Sequence, residues 1–573
     1  MKITKLLFSV VFTFISFAVL GQQTQKSRVE LQGADSLVGG VTYNGEKITK
    51  LLGNVKFKQQ DMTLFADSVY RYVDRQVLEA FGQVRMNQAD TVTITGSRAT
   101  YDSDKRQANI SGGVVMQDPK MTLTTPTLDY NLDTKVATYT EGGTIVDPEN
   151  QLQSQWGAYD TNTKIFTFRQ NVKVTTADYT ITAQNMRYNT ESKIVYFAGP
   201  TFIKGQQGDL YAEEGTYDTI KKISRFGRNA YILTPEYRLG GDQLYYDQNR
   251  GYGFAQRNVT LRSLKDDVTI HGQTGRYWRG RGLAKVYGSP VMETILDGDT
   301  LYLAADTLIS RESQVPEMPS MLFAFPNVKI FKKDLQGACD SLSYNRTDSI
   351  MHMNRKPILW SDASQLVSDT IHIQLRNKTI DRMYMYSNAF IASEDSLKNY
   401  NQVKGRDMVA YFQEGNIRRV NVNGNGESLY FVLEGDTAVT GMNKAICSDM
   451  VLKFAEKELK SISFLVNPDA SLIPPHELKE EEKTLEGFNW MGELRPQRKD
   501  IFAKRVPAAK PKKQTKPAAR PATKPKKPAA TSKKTAAAAK PAAKPATATL
   551  KKPAAAPTKP TAPGSGFKKA PDR

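Results

Sequence analysis

Few residues in this sequence of 573 are of a kind that does chemistry, and their spacing argues against it. His271, His352, His372 and His476 stand far apart, without the short spacing by which a metal's ligands are presented. His271 and His372 fall in strand-like segments and read as wall or surface residues. Cys339 and Cys447 are the only cysteines, and neither belongs to a Cys-x-x-Cys. In an oxidising compartment they either pair or serve as two small buried strand residues. Asp297, Asp299 and Asp306 would suit paired-carboxylate chemistry, but acids recur at turns throughout the chain. Gly280-Arg281-Gly282 resembles a phosphate-cradling loop without the strand–loop–helix frame that such a loop needs. Gly-x-Ser-x-Gly, His-Glu-x-x-His and Walker signatures are missing from the sequence. The expectation is a protein that is not an enzyme and uses no metal and no cofactor.

What the sequence has instead is a repeat. Tyr101, Tyr130, Tyr159, Tyr188, Tyr217 and Tyr246 follow one another at intervals of 29 residues, and Tyr277 comes 31 further on. Seven residues before each of them stands an aliphatic: Ile94, Leu123, Leu152, Ile181, Leu210, Leu239 and Ile270. Five residues after the first five stands a base, Arg106, Lys135, Lys164, Lys193 and Lys222; in four of those units an aliphatic follows it, Val136, Ile165, Ile194 and Ile223. The residue after the tyrosine is Asp or Asn in the first six units.

Such columns must be positioned by strands. Leu123-Thr-Leu-Thr and Asn171-Val-Lys-Val-Thr-Thr alternate apolar and polar residues with period two. The polar stretch between tyrosine and base is a turn, which Asp and Asn favour by bonding nearby backbone. Gly112-Gly113, Gly142-Gly143 and Gly199-Pro200 mark a second corner. Strands rise about 3.3 Å per residue, so 29 residues suggest about three short strands. No single unit can bury its apolar face, and stacked neighbours must do it. The fold class expected is all-β, a repetitive open β-jellyroll or solenoid of stacked units. The tyrosines are expected to fill and rigidify a layer, and the bases to be solvated.

The termini are of another kind. Lys2 and Lys5 precede an apolar run, Leu6 to Leu20, and then Gly21. That is the layout of a secretory signal peptide, too short for the roughly 20 residues of a membrane span. The net charge of +20 sits at the other end, where residues 504–573 carry twenty Lys or Arg against one acid, Asp572. Rich in Lys, Pro and Ala, this tail cannot bury enough surface to fold. The organisation expected is a signal peptide over 1–21, a repeat domain over 22–312, a second and degenerate β block over 313–470, a short helical and aromatic cap over 471–502, and a disordered basic tail over 503–573. The tail is read as a spacer or as a contact for anionic envelope surfaces, with no nucleic acid partner.

The units have the form apolar-Thr-apolar … Tyr-Asp/Asn-x-x-x-Lys-apolar, and phrases such as Gly53-Asn54-Val55-Lys56, Ala66-Asp67-Ser68-Val69-Tyr70 and Ile94-Thr95-Gly96-Ser97-Arg98-Ala99-Thr100-Tyr101 resemble the OstA-like, or organic-solvent-tolerance, repeats. The resemblance is good over about residues 40–311 and weak over 312–470. It implies a periplasmic protein, associated with the outer membrane or free, whose β-groove shields lipopolysaccharide acyl chains during transport to the outer membrane. It also implies partners among other lipopolysaccharide-transport proteins, engaged by stacking of β-edges. Strand alternation then nominates two columns as groove wall: Ile94, Leu123, Leu152, Ile181, Leu210, Leu239 and Ile270, and Val136, Ile165, Ile194 and Ile223. The competing expectation is a structural β-solenoid that scaffolds cell-envelope polymers, for which the coil would be dry and closed.

Overall fold

The computed structural model describes residues 28–504, apart from 90, 207, 316, 436 and 457. Contacts divide the chain into two units, 1–508 and 509–573. The expected signal peptide and the tail beyond 504 lie outside the described residues, as does the second unit. Among its described residues the first unit is nearly all β, and 38 strands form one antiparallel sheet. The long strands pair with their neighbours in the chain, while many shorter ones pair with strands further along, as Leu283–Tyr287 does with Thr307–Arg311.

The strand Val92–Asp102 shows how sequence makes the fold. Val92, Ile94, Ala99 and Tyr101 are buried, but alternation slips in the middle, where Ser97 and Arg98 both face outward. The ladder to the preceding strand shifts register at the same place, between Phe81 and Val84. A bulge adds a residue and bends the strand, so the strand folds over and its two halves place their apolar faces against each other. The next strand, Gln107–Asp118, bends at Gly112, whose φ of +83° suits glycine. A Cβ there would come within 2.5 Å of Ser97 Oγ, the hydroxyl that donates to the Gly112 carbonyl at 2.7 Å. Other rungs bend at asparagines of positive φ, which reach back to an acid. Asn258 donates to Asp242 at 2.9 Å and Asn327 to Asp306 at 2.8 Å.

A 29-residue unit therefore holds two long folded strands, such as Ile165–Thr175 and Tyr179–Asn189, and not three short ones. The corners at Gly112-Gly113 and Gly199-Pro200 lie inside a strand, where the chain bends without leaving its ladder, whereas Gly142-Gly143 falls at the break between Val136–Tyr139 and Gly143–Val146. One apolar core runs between the two halves of the folded sheet, from Leu51 to Leu452. Among the described residues no helix is long and apolar enough to cross a membrane.

The segment after the last strand, Asp469–Ile473, contains 3-10 turns at Pro475–Glu477 and Glu480–Lys483 in place of the expected polar helix. It does not plug the last coil. It runs back over the outer face of one half of the sheet as a strap and ends in a short helix, Arg498–Phe502. Three buried glutamines on that face hold it. Gln402 donates to the Lys483 carbonyl at 2.9 Å and accepts from the Leu485 N–H at 2.8 Å. Gln365 donates to the Asn489 carbonyl at 2.8 Å and accepts from the Met491 N–H at 2.7 Å. Gln336 accepts from Arg495 Nε at 2.6 Å. Under the strap, Phe390, Leu429 and Phe431 pack against Leu485, Phe488 and Trp490, and Ile501 packs on Val291 and Ala304.

Candidate ligand-binding interior

The turn after each tyrosine decides which columns face inward. Asp160 and Ile165 are paired across the hairpin, and so are Tyr159 and Phe166. Residues directly opposite share a face, so the residue after the base lies with the outward Asp or Asn, and the next one lies with the tyrosine. The column Ile94, Leu123, Leu152, Ile181, Leu210, Leu239 and Ile270 is buried, at 6 % exposure or less. The column Val136, Ile165, Ile194 and Ile223 is half-buried on the outer face. The expectation that both columns line one wall is therefore corrected by the hairpin's parity. The inward residues missed by sequence reasoning are Ala108, Ala137, Phe166, Val195, Ser224, Gly253 and Ala284, each opposite a repeat tyrosine. Most are small, which was their visible signal: a bulky ring needs a short neighbour.

All seven repeat tyrosines are buried, and several close the open side of the folded sheet. The Tyr101 and Tyr130 hydroxyls donate to Gln59 and Gln88, and Tyr159 donates to Asp118 at 2.7 Å. These partners lie 41 or 42 residues back, at turns of the opposite half. Burial pushes the Tyr130 hydroxyl up to about 12. Most of the bases are not left to solvent as expected. Lys193 reaches Asp147 at 3.0 Å, Lys222 pairs with Asp178, and Arg106 bridges Asp61 at 3.2 Å and Asp133 at 2.6 Å. Burial opposes ionisation of Asp147, yet hydrogen bonds from the Lys193 ammonium, the Glu149 N–H and Asn150 hold its carboxyl below the ordinary value. Over this stretch the two edges are bridged and the interior is filled with side chains.

The filling changes beyond Tyr277. Followed strand by strand, the tyrosine row continues as Ala284, Ser310, Leu322, Tyr344, Met351, Ile373, Met383, Ala410, Val420, Leu452 and Ile462. Aliphatic and methionine side chains replace most of the rings, Tyr344 excepted, and two cavities appear. One, of about 390 Å³, is lined by Met292, Leu296, Leu303, Leu342, Met351 and Leu375. The other, of about 350 Å³, is lined by Leu335, Leu366, Met383, Ile391, Val420 and Ile462. Both fall in the roughly 300–1,000 Å³ range of ligand pockets. A hairpin turn separates them: the Asp297 N–H donates to the Lys378 carbonyl at 2.8 Å, and its carboxylate accepts from the Ile380 N–H at 3.1 Å.

Polar groups gather at the rims. Beside the larger cavity, Arg346 meets Asp266 at 3.0 Å and also pairs with Glu312, while Lys378 meets Asp267 at 2.5 Å. Glu312 accepts from Tyr237 at 2.5 Å and from Ser320 at 3.1 Å. Lys332, nearly buried beside the smaller cavity, meets Asp334 at 2.6 Å. These groups satisfy one another; the cavity walls are more apolar than polar, with Ser364, Ser393, Asn401 and Ser428 also lining the smaller one.

Of the residues first considered for chemistry, His352 and His372 do meet, with ring centroids 4.2 Å apart on paired strands. Cys339 and Cys447 are both free and buried, and burial pushes the Cys339 thiol up to about 12. Among the described residues no group of three or more His, Cys, Asp or Glu is placed to hold a metal.

No curated protein matches the chain. Its N-terminal residues 26–184 match the family model described as OstA-like protein. That stretch holds the first strands of the folded sheet and the first three tyrosines of the row, so the start of the bent-strand repeat is the part of this chain that is similar to OstA-like proteins.

Proposed function

We propose that this chain is a carrier that shields lipid acyl chains, those of lipopolysaccharide, in its apolar interior between inner and outer membrane, and that it catalyses no reaction. The carrying observation is the change of filling after Tyr277, where aliphatic and methionine side chains take over most of the tyrosine row, Tyr344 excepted, and two largely apolar cavities open. Each methylene transferred from water into such a space gains about 0.8 kcal/mol, so binding needs no reactive group. The OstA-like match supports an envelope role. On this reading the acyl chains enter the 390 and 350 Å³ cavities first. The column from Ile94 to Ile270 would line a conduit only where the tyrosine bridges part.

The test is photocrosslinking to lipopolysaccharide, with a photoreactive residue at Met351, Met383 or Ile181 and an outward control at Ile165. Adducts at Met351 and Met383 and none at Ile165 are expected. An adduct at Ile181 would extend the conduit into the tyrosine-filled half. Adducts at none of the inward positions, with folding intact, would sink the carrier reading. A second reading, a structural solenoid that scaffolds envelope polymers, is favoured by the bridged and filled stretch around Tyr101 to Tyr188.

A further inference from the structure

The outer face of the sheet is treated differently on its two halves. On one half the apolar row Val291, Ala304, Phe390 and Leu429 is covered by the chain's own strap. The other half carries a row that none of the strap contacts reaches. Strand by strand the pairing aligns Arg187, Tyr196, Thr216, Arg225, Tyr245, Phe254, Arg276, Lys285, Ile309 and Phe323. Every one of these side chains is exposed or half-buried. Cations and rings interleave: Arg225 lies over Tyr245 at 5.6 Å, Arg276 over Phe254 at 5.7 Å and over Tyr287 at 5.6 Å.

Charge is left unanswered along this row. Some surface cations are paired with acids, as Arg228 is with Glu214 at 3.0 Å. Among the described residues, none of Arg187, Arg225, Arg276 and Lys285 has a carboxylate within 4.0 Å. A guanidinium resting on a ring keeps its edge donors free for a planar anion. The row crosses ten strands at about 4.8 Å each, so it is roughly 43 Å long and one residue wide.

We propose that this row is a binding track for an extended acidic polysaccharide. Sugar C–H faces settle on Tyr196, Tyr245 and Phe254, and carboxylates along the polymer meet Arg225 and Arg276 in charge-assisted, two-pronged hydrogen bonds. The track is separate from the apolar interior and does not depend on its ligand. A bilayer surface fits less well, because Tyr245 and Phe254 are half-buried under guanidiniums and present no apolar prong.

Retention of the full chain on polygalacturonate tests this, with neutral dextran as control. The basic tail binds any polyanion to some degree, so the comparison is with a variant of equal charge. Arg225→Gln/Arg276→Gln is expected to weaken binding about tenfold, and Lys512→Ala/Lys513→Ala in the tail about twofold or less. Arg225→Lys/Arg276→Lys retains charge and fold but loses the fork, and is expected to weaken binding about threefold. Equal losses from track and tail variants would overturn the proposal, as would full binding by the lysine variant. So would a track variant whose loss of binding to phosphatidylglycerol vesicles or to single-stranded oligothymidylate is as large as its loss on polygalacturonate.

Discussion

Replacing Gln365 with alanine should loosen the strap without unfolding the sheet. The side chain is nearly buried, at 2 % exposure, and makes two hydrogen bonds to the strap backbone, at 2.8 Å and 2.7 Å. Each is worth about 1 kcal/mol net. The truncation also leaves the Asn489 carbonyl and the Met491 N–H without their partners. The expected cost is therefore about 2 kcal/mol, which raises local opening of the strap roughly 30-fold at 1.4 kcal/mol per factor of ten. Gln402 and Gln336 still hold either side, so the opening should stay local. Hydrogen exchange by mass spectrometry on peptides spanning 485–495 reads it directly. Faster exchange there, with little change around Tyr101 or Tyr188, is the expected pattern. Unchanged exchange at Met491 would show that the glutamine does not hold the strap. A uniform rise across the sheet would show that strap and sheet open as one unit.

Three other outcomes are expected. Tyr159→Phe removes the hydroxyl that donates to Asp118 at 2.7 Å and should cost about 1–3 kcal/mol in chemical denaturation, because a buried acceptor loses its donor. Burial pushes Tyr130, Tyr139 and Tyr179 up to about 12; the stability they confer is present below the ordinary value of about 10 and is lost as pH rises through 12. Tyrosinate absorbance should therefore rise in step with alkaline unfolding, and a gradual rise in a folded chain would contradict the burial. Asp147 behaves in the opposite sense: its carboxyl is held low, so its contribution is present above the ordinary value of about 3.9 and is lost as pH falls through the folded value. Thermal melts should separate the wild type from Asp147→Asn at pH 6, and the gap should shrink as pH falls below the ordinary carboxylate value of about 3.9.

How far the sequence reveals this fold depends on which signal is followed. The tyrosine interval revealed the repeat, because a stacked rung must place the same ring at the same depth every time. The inward aliphatic column from Ile94 to Ile270 followed from strand alternation. Alternation failed at Ile165 and its equivalents, since a hairpin loop of Thr161 to Lys164 decides whether the next residue faces in or out, and composition does not reveal that parity. The bases were read as solvated because their acids lie 27 to 46 residues away, beyond any local pattern. The strap was invisible for a related reason: Gln336, Gln365 and Gln402 look like ordinary polar strand residues until the chain returns over them. Decay of the tyrosine pattern after Arg311 was legible as degeneracy, and in space it coincides with the two cavities.

The bend inside each strand makes the repeat a unit of length. Lys164-Ile165 and Lys193-Ile194 occupy equivalent places in successive units, so excising residues 165–193 would rejoin the chain in phase and shorten the sheet by two strands, about 9.6 Å. Losing a single residue from the same stretch would instead turn the rest of that strand inside out, sending tyrosine to solvent and arginine to the core. Variation in steps of 29 is thus available within the strands, with small changes confined to turns such as the one that makes the Tyr246-to-Tyr277 step 31 residues, and descendants of such a chain should differ in reach by whole rungs.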